Sequence, residues 1–322
     1  FLLFCWVFGL LVIAAFGDIV AKTFNGFAKD GSLILPNAAA ASISMLFIFV
    51  AIAFGLYIKK FKPSEPVRFV IAIILLIAML YVGIDLPIYL GASTWLTIIF
   101  VYIFFASIMP MWLLKQPRDY ISAFLLLMMI AGGVVGIFIA QPTINMPAFT
   151  QFNVGGKDLF PILFITIACG AVSGFHSLVS SGTSSKTLDN EKDCVFVGYG
   201  SMCVESVLGV VSLVIACAAA SNGHVAQGTP FQIFSGAVSG FFTMFGLSQT
   251  TAACVMTMCV SALALTTLDA VGRIGRMSFQ ELFAVDEGEE MKAIQKICVN
   301  KYVATIITLA LGYLLCLGGY MN

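Results

Sequence analysis

Nine apolar runs, each close to the length that crosses a lipid bilayer, constrain what this chain can fold into. A helix needs about 20 mostly apolar residues to cross the hydrocarbon core. Of the 322 residues, 10% are charged, against roughly 25% in a soluble domain. The pattern predicts an all-α polytopic membrane protein. Its predicted spans are 1–20, 36–58, 67–84, 95–114, 120–140, 159–180, 194–220, 249–269 and 302–320.

A tenth apolar stretch, 230–247, is rich in Gly and Ser, and the positive charges indicate whether it spans. If it does not, 13 of the 16 lysines and arginines fall on one side of the membrane; if it does, 8 fall on each side. Because cytoplasmic loops carry the excess of positive charge, a re-entrant or surface hairpin outside the cytoplasm is favoured. The segment 270–300 is then cytoplasmic. It is expected to form an interfacial helix and an acidic loop, or a plain solvated linker.

Glu205 is a carboxylate near the middle of an apolar run. Its neighbours at helical spacing, Gly198 and Ser201 before it and Gly209 and Ser212 after it, share its face. A charged group at bilayer depth costs roughly 2.5–3.5 kcal/mol on insertion scales, so such residues point to function by default. Glu205 is therefore either a proton carrier or a protonated group that hydrogen-bonds a neighbouring helix.

The stretch 164–185 begins as an apolar run and becomes rich in Gly, Ser and Thr around His176. Gly costs about 1 kcal/mol in a helix interior, and Ser and Thr compete for backbone hydrogen bonds. The pattern is typical of a broken helix that lines a cavity, or of close helix packing at Gly170 and Gly174. His176 would donate to a carboxylate substrate in the first case and fill a packing site in the second.

Asp269 follows Thr266 and Thr267 at the predicted cytoplasmic end of a span. Their hydroxyl and carboxylate oxygens could coordinate a cation or line an inner gate. The alternative is an ordinary helix-end carboxylate that pairs with Arg273, because residues four apart meet on a helix surface.

Several classes of function lack their motifs in this sequence. There is no phosphate-binding GxxxxGK[ST] loop, no HExxH zinc motif and no GxSxG nucleophile motif. The nine cysteines form no CxxC pair, so we expect buried apolar side chains and no metal or disulfide framework. Zero net charge gives no electrostatic reason for nucleic-acid binding. We therefore expect neither an enzyme nor a cofactor.

Five stretches of the sequence, in family order, resemble the carbon starvation protein A family. They are FPILFITIACGAVSGFHSLVSSGTSSKTL at 160–188, NMPAF at 145–149, KQPRDYISAFLL at 115–126, VGYGSMCVESVLGVVSL at 197–213 and ALTTLDAVGRIGRMSFQELF at 264–283. The resemblance implies a secondary transporter of the bacterial inner membrane. It also implies the inverted-repeat core of the amino acid–polyamine–cation superfamily, with 164–185 as a broken helix. Since family members are longer, the chain is expected to be a central part of one transmembrane transporter domain.

The resemblance further implies import of peptides or pyruvate, coupled to protons or another monovalent cation, when carbon is scarce. The expected site has three parts: substrate contacts at Ser173, Gly174, His176, Ser177 and Ser180; a proton carrier at Glu205; and a cation site or inner gate at Thr266, Thr267 and Asp269. A membrane channel and a sensor or assembly subunit are the alternatives. The expected partners are a small substrate, the coupling ion and the lipid bilayer.

Overall fold

The computed structural model of the chain describes residues 1–28, 30–149, 151–154, 157–172, 174–220, 230–285 and 292–318. These ranges are mostly helical. The helices are α1 (Leu2–Thr23), α2 (Leu35–Phe61), α3 (Glu65–Asp85), α4 (Ala92–Ile108), α5 (Lys115–Ala140), α6 (Phe164–Val172), α7 (Gly174–Gly182), α8 (Asp193–Ala218), α9 (Pro230–Met244), α10 (Gln249–Phe283), α11 (Ala293–Val299) and α12 (Lys301–Leu317). Short helical turns lie at Leu159–Leu163 and Ser184–Lys186, and β1 (Asn153–Val154) pairs antiparallel with β2 (Lys157–Asp158).

The helices confirm an all-α polytopic membrane protein. Among the described helices, α1, α2, α3, α5, α8 and α10 are long and apolar enough to cross a bilayer, and α11 with α12 adds a seventh if that bent pair is one span. Each of the nine predicted spans overlaps a described helix, but some helices are short. The span predicted at 95–114 ends early, because α4 stops at Ile108 and the next residue, Met109, precedes Pro110. A residue before proline is disfavoured in a helix.

The chain divides into two compact units. The first unit contains Phe1–Gly136 and Val238–Asn322, and the second contains Ile137–Ala237. In the first unit, α10 packs most extensively against α1 and α2 and also contacts α4 and α12. The second unit holds α6, α7, α8 and the β1–β2 pair.

Helix α10 packs closely against its neighbours at two glycines, Gly272 and Gly275. A Cβ added at Gly275 would lie 3.2 Å from the Thr308 methyl group, and one at Gly272 would lie 2.6 Å from Ile103 Cγ2. Small residues at helix contacts let backbones approach, which is how membrane helices gain packing energy. The two glycines therefore serve packing and do not end the helix.

The first part of the segment 270–300 is not a separate helix, because α10 continues without interruption from Gln249 to Phe283; its place at the membrane interface stays a prediction. Its 35 residues reach about 52 Å at 1.5 Å per residue, which exceeds a hydrocarbon core of about 30 Å. Ala270, Val271, Ile274 and Phe279 are buried, as a helix in the core requires. The stretch is thus part of the first unit's core, and its arginines lie on a packed helix.

Two other segments differ in shape from the sequence predictions. Within 230–247, Pro230–Met244 is one 15-residue helix and not two arms of a hairpin; its place relative to the bilayer stays a prediction. A bend of 71° separates α11 from α12 at Asn300. The Asn300 side chain accepts a hydrogen bond from the Tyr302 amide at 2.9 Å and so caps α12.

Candidate functional site

A buried ion pair joins α5 to α10 in the first unit. Arg118 Nη1 donates to Asp269 Oδ2, and the two side chains are 1% and 5% exposed. The Tyr102 hydroxyl, from α4, donates to the same carboxylate oxygen at 2.7 Å. Arg118 also contacts this hydroxyl. Three helices thus meet at one carboxylate oxygen, and these residues are the Arg118–Tyr102–Asp269 cluster.

Two further arginines of α10 hold the end of α4. Arg273 Nη2 donates to the carbonyl oxygens of Ala106 at 2.9 Å and Met109 at 2.8 Å. Arg276 Nη1 donates to the Ser107 carbonyl at 3.0 Å. The last carbonyls of a helix lack partners within the helix and carry partial negative charge, so cations stabilise them.

The pairing of Asp269 with Arg273 on one helix, one of the two alternatives, is therefore wrong. Asp269 is not at a helix end, since α10 continues for 14 residues beyond it, to Phe283. Its partner comes from another helix, and the Arg273 guanidinium is used by the carbonyls of α4. Asp269 pairs with the equally buried Arg118, because an ion deep in the protein needs a close partner of opposite charge to offset its lost hydration.

The threonines expected beside Asp269 bond within their own helix. The Thr266 hydroxyl donates to the Ala262 carbonyl at 2.9 Å, and the Thr267 hydroxyl donates to the Leu263 carbonyl at 3.1 Å. Asp269 Oδ2 already accepts hydrogen bonds from Arg118 and Tyr102, while its Oδ1 has no hydrogen-bond partner among the described residues. In the described part of the chain, no three His, Cys, Asp or Glu side chains group as metal ligands would.

The second unit brings together two residues that the sequence singles out separately. His176 Nε2, on α7, lies 3.6 Å from Glu205 Oε2, on α8. The distance is that of an ion pair and is longer than a good hydrogen bond. The side chains are 43% and 42% exposed. The pair is charged on both sides only while the imidazole holds its second proton, so its attraction depends on one proton.

The small-residue face around Glu205 is open. A Cβ at Gly198 or Gly209 would meet no described atom within 4 Å, and Ser201 is exposed. Helix α8 also exposes large apolar side chains such as Phe196 and Leu213. Glu205 therefore lies on an accessible face of its unit.

The remaining substrate residues expected from the sequence lie on or beside α7. Gly174 is the first residue of α7, and Ser173 lies outside the described residues, so the helix break expected there stays a prediction. Ser177 and Ser180 are exposed, and the Ser180 hydroxyl donates to the Ser177 carbonyl at 3.1 Å. His176 and these two serines thus share one short helix with Glu205 close by.

Arg118 and Tyr102 are missed by the sequence reasoning. Arg118 stands among the cations of KQPRD, at the start of an apolar run, which is typical of a cytoplasmic loop. Helix α5 instead begins at Lys115, so Arg118 belongs to its first turn and points into the core. The sequence signal that could have identified Arg118 is its position within KQPRDYISAFLL, one of the five stretches that resemble the family.

Comparison with known proteins identifies the family. The family described as carbon starvation protein CstA matches residues 1–227 and 218–322. The pyruvate/proton symporter BtsT of Escherichia coli (strain K12) is 40% identical over 218 residues, which cover 62% of this chain and 30% of BtsT. The peptide transporter CstA of the same strain is 48% identical over 139 residues, covering 42% and 20%. The peptide transporter CstA of Helicobacter pylori (strain ATCC 700392 / 26695) is 41% identical over 181 residues, covering 52% and 26%.

These alignments span less than a third of each relative's length. No solved structure matches the chain. The apolar helices and the bacterial relatives support a multi-pass protein of the inner membrane. Since the family match extends over all 322 residues, the chain belongs to the carbon starvation protein CstA family.

Proposed function

We propose that this protein is a secondary transporter that imports a small carboxylate-bearing nutrient, a peptide or pyruvate, together with protons. The names of its relatives, a pyruvate/proton symporter and peptide transporters, support the substrate class. The observation that carries the coupling is the separation of 3.6 Å between His176 Nε2 and Glu205 Oε2.

The His176–Glu205 pair is suited to proton coupling because its two members compete for protons. An imidazole and a carboxylate are both groups that positioned side chains use to take up and release protons. The carboxylate of a peptide or of pyruvate would take the place of Glu205 beside the imidazolium. Glu205 would then accept a proton, so that substrate and proton occupy the site together.

Ser173, Gly174, Ser177 and Ser180 complete the proposed substrate contacts. Hydroxyl groups on one helix can donate to a carboxylate that His176 anchors, and Gly174 leaves room for its approach. The exposure of Ser177 and Ser180 supports this role, because a ligand must reach them. A break at Ser173 would add backbone donors, as in other secondary transporters with discontinuous helices.

The Arg118–Tyr102–Asp269 cluster is proposed as an inner gate and not as a cation site. Asp269 Oδ2 already binds two donors, and the two threonine hydroxyls donate to their own helix. Arg273 and Arg276 add further positive charge nearby, which disfavours a bound cation. As a gate, the pair would break when α5 separates from α10 and would re-form when the two helices return.

The test is uptake by the full-length protein in proteoliposomes, with labelled pyruvate in one arm and a labelled dipeptide in the other. An inward proton gradient should accelerate uptake of one of the two substrates. If pyruvate and the dipeptide both entered at a rate that does not depend on the proton gradient, the protein would be a channel. No uptake of either substrate would overturn the proposed transport function.

A further inference from the structure

A cleft lies in the first unit, where α2, α3 and α5 come together. It is enclosed by the last turns of α2, the first turn of α3, the turn after α4 and the start of α5, and its volume is about 440 Å³. Its lining residues are Gly55, Ile58, Lys59, Arg68, Trp112, Gln116, Pro117 and Tyr120.

Gly55 sets the floor of the cleft. A Cβ at this position would lie 2.7 Å from the Leu113 carbonyl oxygen and 2.8 Å from Pro117 Cγ. Both distances are shorter than any relaxed contact, so only glycine lets α2 approach the start of α5 this closely. At Gly55 and Pro117 the floor of the cleft is therefore closely packed.

Two cations stand at the cleft. Lys59 Nζ lies 3.7 Å from the centroid of the Trp112 ring, and no ion pair among the described residues includes Lys59. Arg68 Nε donates to the Pro63 carbonyl at 3.0 Å, and its Nη1 donates to Glu65 Oε1 at 2.5 Å. An arginine has five N–H donors, so these bonds hold the guanidinium in place and leave donors for a ligand.

The chemistry of the surrounding segment favours an anion from the membrane. Between Lys59 and Arg68 the chain carries four cations and one carboxylate, at the end of an apolar helix. The positive-inside rule assigns this side to the cytoplasm, where the bilayer leaflet is anionic. Trp112 and Tyr120 are residue types that settle at the headgroup level.

We propose that this cleft binds the phosphate-bearing headgroup of an anionic phospholipid from the cytoplasmic leaflet. Lys59 and Arg68 bind the phosphate, Gln116 donates to the headgroup, and the glycerol region packs on Trp112 and Tyr120. The apolar floor at Gly55 and Pro117 suits a lipid better than a free, fully hydrated phosphate ion. This proposal does not rest on the transport activity proposed above.

Native mass spectrometry of the purified full-length protein tests the site, with phosphatidylglycerol, phosphatidylcholine and inorganic phosphate as probes. Wild-type protein should retain phosphatidylglycerol in preference to phosphatidylcholine. A cation near an anionic headgroup strengthens binding about fivefold, so Lys59→Gln should weaken phosphatidylglycerol binding about fivefold and the double variant K59Q/R68Q about 25-fold. The matched control is K60Q/K62Q, which removes equal charge outside the lining and should have little effect.

Three results would overturn the proposal. Equal weakening by both double variants would indicate diffuse attraction to the whole basic segment. Equal retention of both lipids by wild-type protein would show that the headgroup charge is not recognised. Displacement of phosphatidylglycerol by an equal concentration of inorganic phosphate would show an anion site without lipid selectivity.

Discussion

Arg118 and Asp269 form an ion pair although 151 positions separate them in the sequence. Both side chains are buried, and the Tyr102 hydroxyl shares the carboxylate oxygen with the guanidinium. Helices α4, α5 and α10 therefore meet at one buried carboxylate oxygen. Because neither charge is accessible to water, each depends on the other.

Asp269→Asn should lower the stability of the protein by about 3–5 kcal/mol, because it leaves the Arg118 guanidinium buried without its counter-ion. Thermal unfolding of the purified full-length protein measures this. Glu281→Gln is the matched control, since Glu281 is an exposed carboxylate on the same helix. Adding Arg118→Gln to Asp269→Asn should recover part of the loss. A loss no larger than that of the control would contradict a structural ion pair.

Arg273→Gln should loosen the end of α4, because it removes the donors to the carbonyls of Ala106 and Met109. Hydrogen bonds to charged groups contribute about 1.5–3 kcal/mol. Hydrogen exchange by mass spectrometry should show faster exchange in the last turn of α4. The control is Lys296→Gln, which changes an exposed cation on α11 and should leave that exchange unchanged. Equal acceleration of exchange in both variants would show that Arg273 does not stabilise the end of α4.

Thr266→Val and Thr267→Val distinguish an inner gate from a cation site. Each hydroxyl donates to a carbonyl of its own helix, and valine keeps the shape while removing that oxygen. If the Asp269 cluster is a gate, uptake and its dependence on monovalent cations should match wild type. If either variant needed a different monovalent cation, or none, for uptake, the cation-site interpretation would be correct and the inner gate would be wrong.

The sequence predicts where most of the helices lie because apolar runs of membrane-crossing length mark them. All nine predicted spans overlap described helices, and the deviations have local causes, such as Pro110 after α4. The extent of α10 was missed because Arg273, Arg276 and two glycines resemble a solvated linker. Their function is set by contacts with α4, which local composition cannot show.

The sequence predicts which single residues belong to the candidate sites, but it does not predict which residues contact each other. Glu205 and His176 are conspicuous because polar groups are costly in an apolar helix, yet nothing in their spacing shows that they meet across α7 and α8. Arg118 and Asp269 were likewise visible as charges. The i, i+4 spacing predicts Arg273 as the partner of Asp269, whereas in the fold the partner is Arg118 from another helix.

Proton-driven uptake by the Glu205→Gln variant tests the proposed coupling most directly. The measurement compares uptake in proteoliposomes with and without an inward proton gradient, for wild type, Glu205→Gln and the control Glu191→Gln, which alters an exposed carboxylate outside the helices. The gradient should accelerate uptake by wild type and by Glu191→Gln, and should leave uptake by Glu205→Gln unchanged. Acceleration of Glu205→Gln equal to that of wild type would contradict the account.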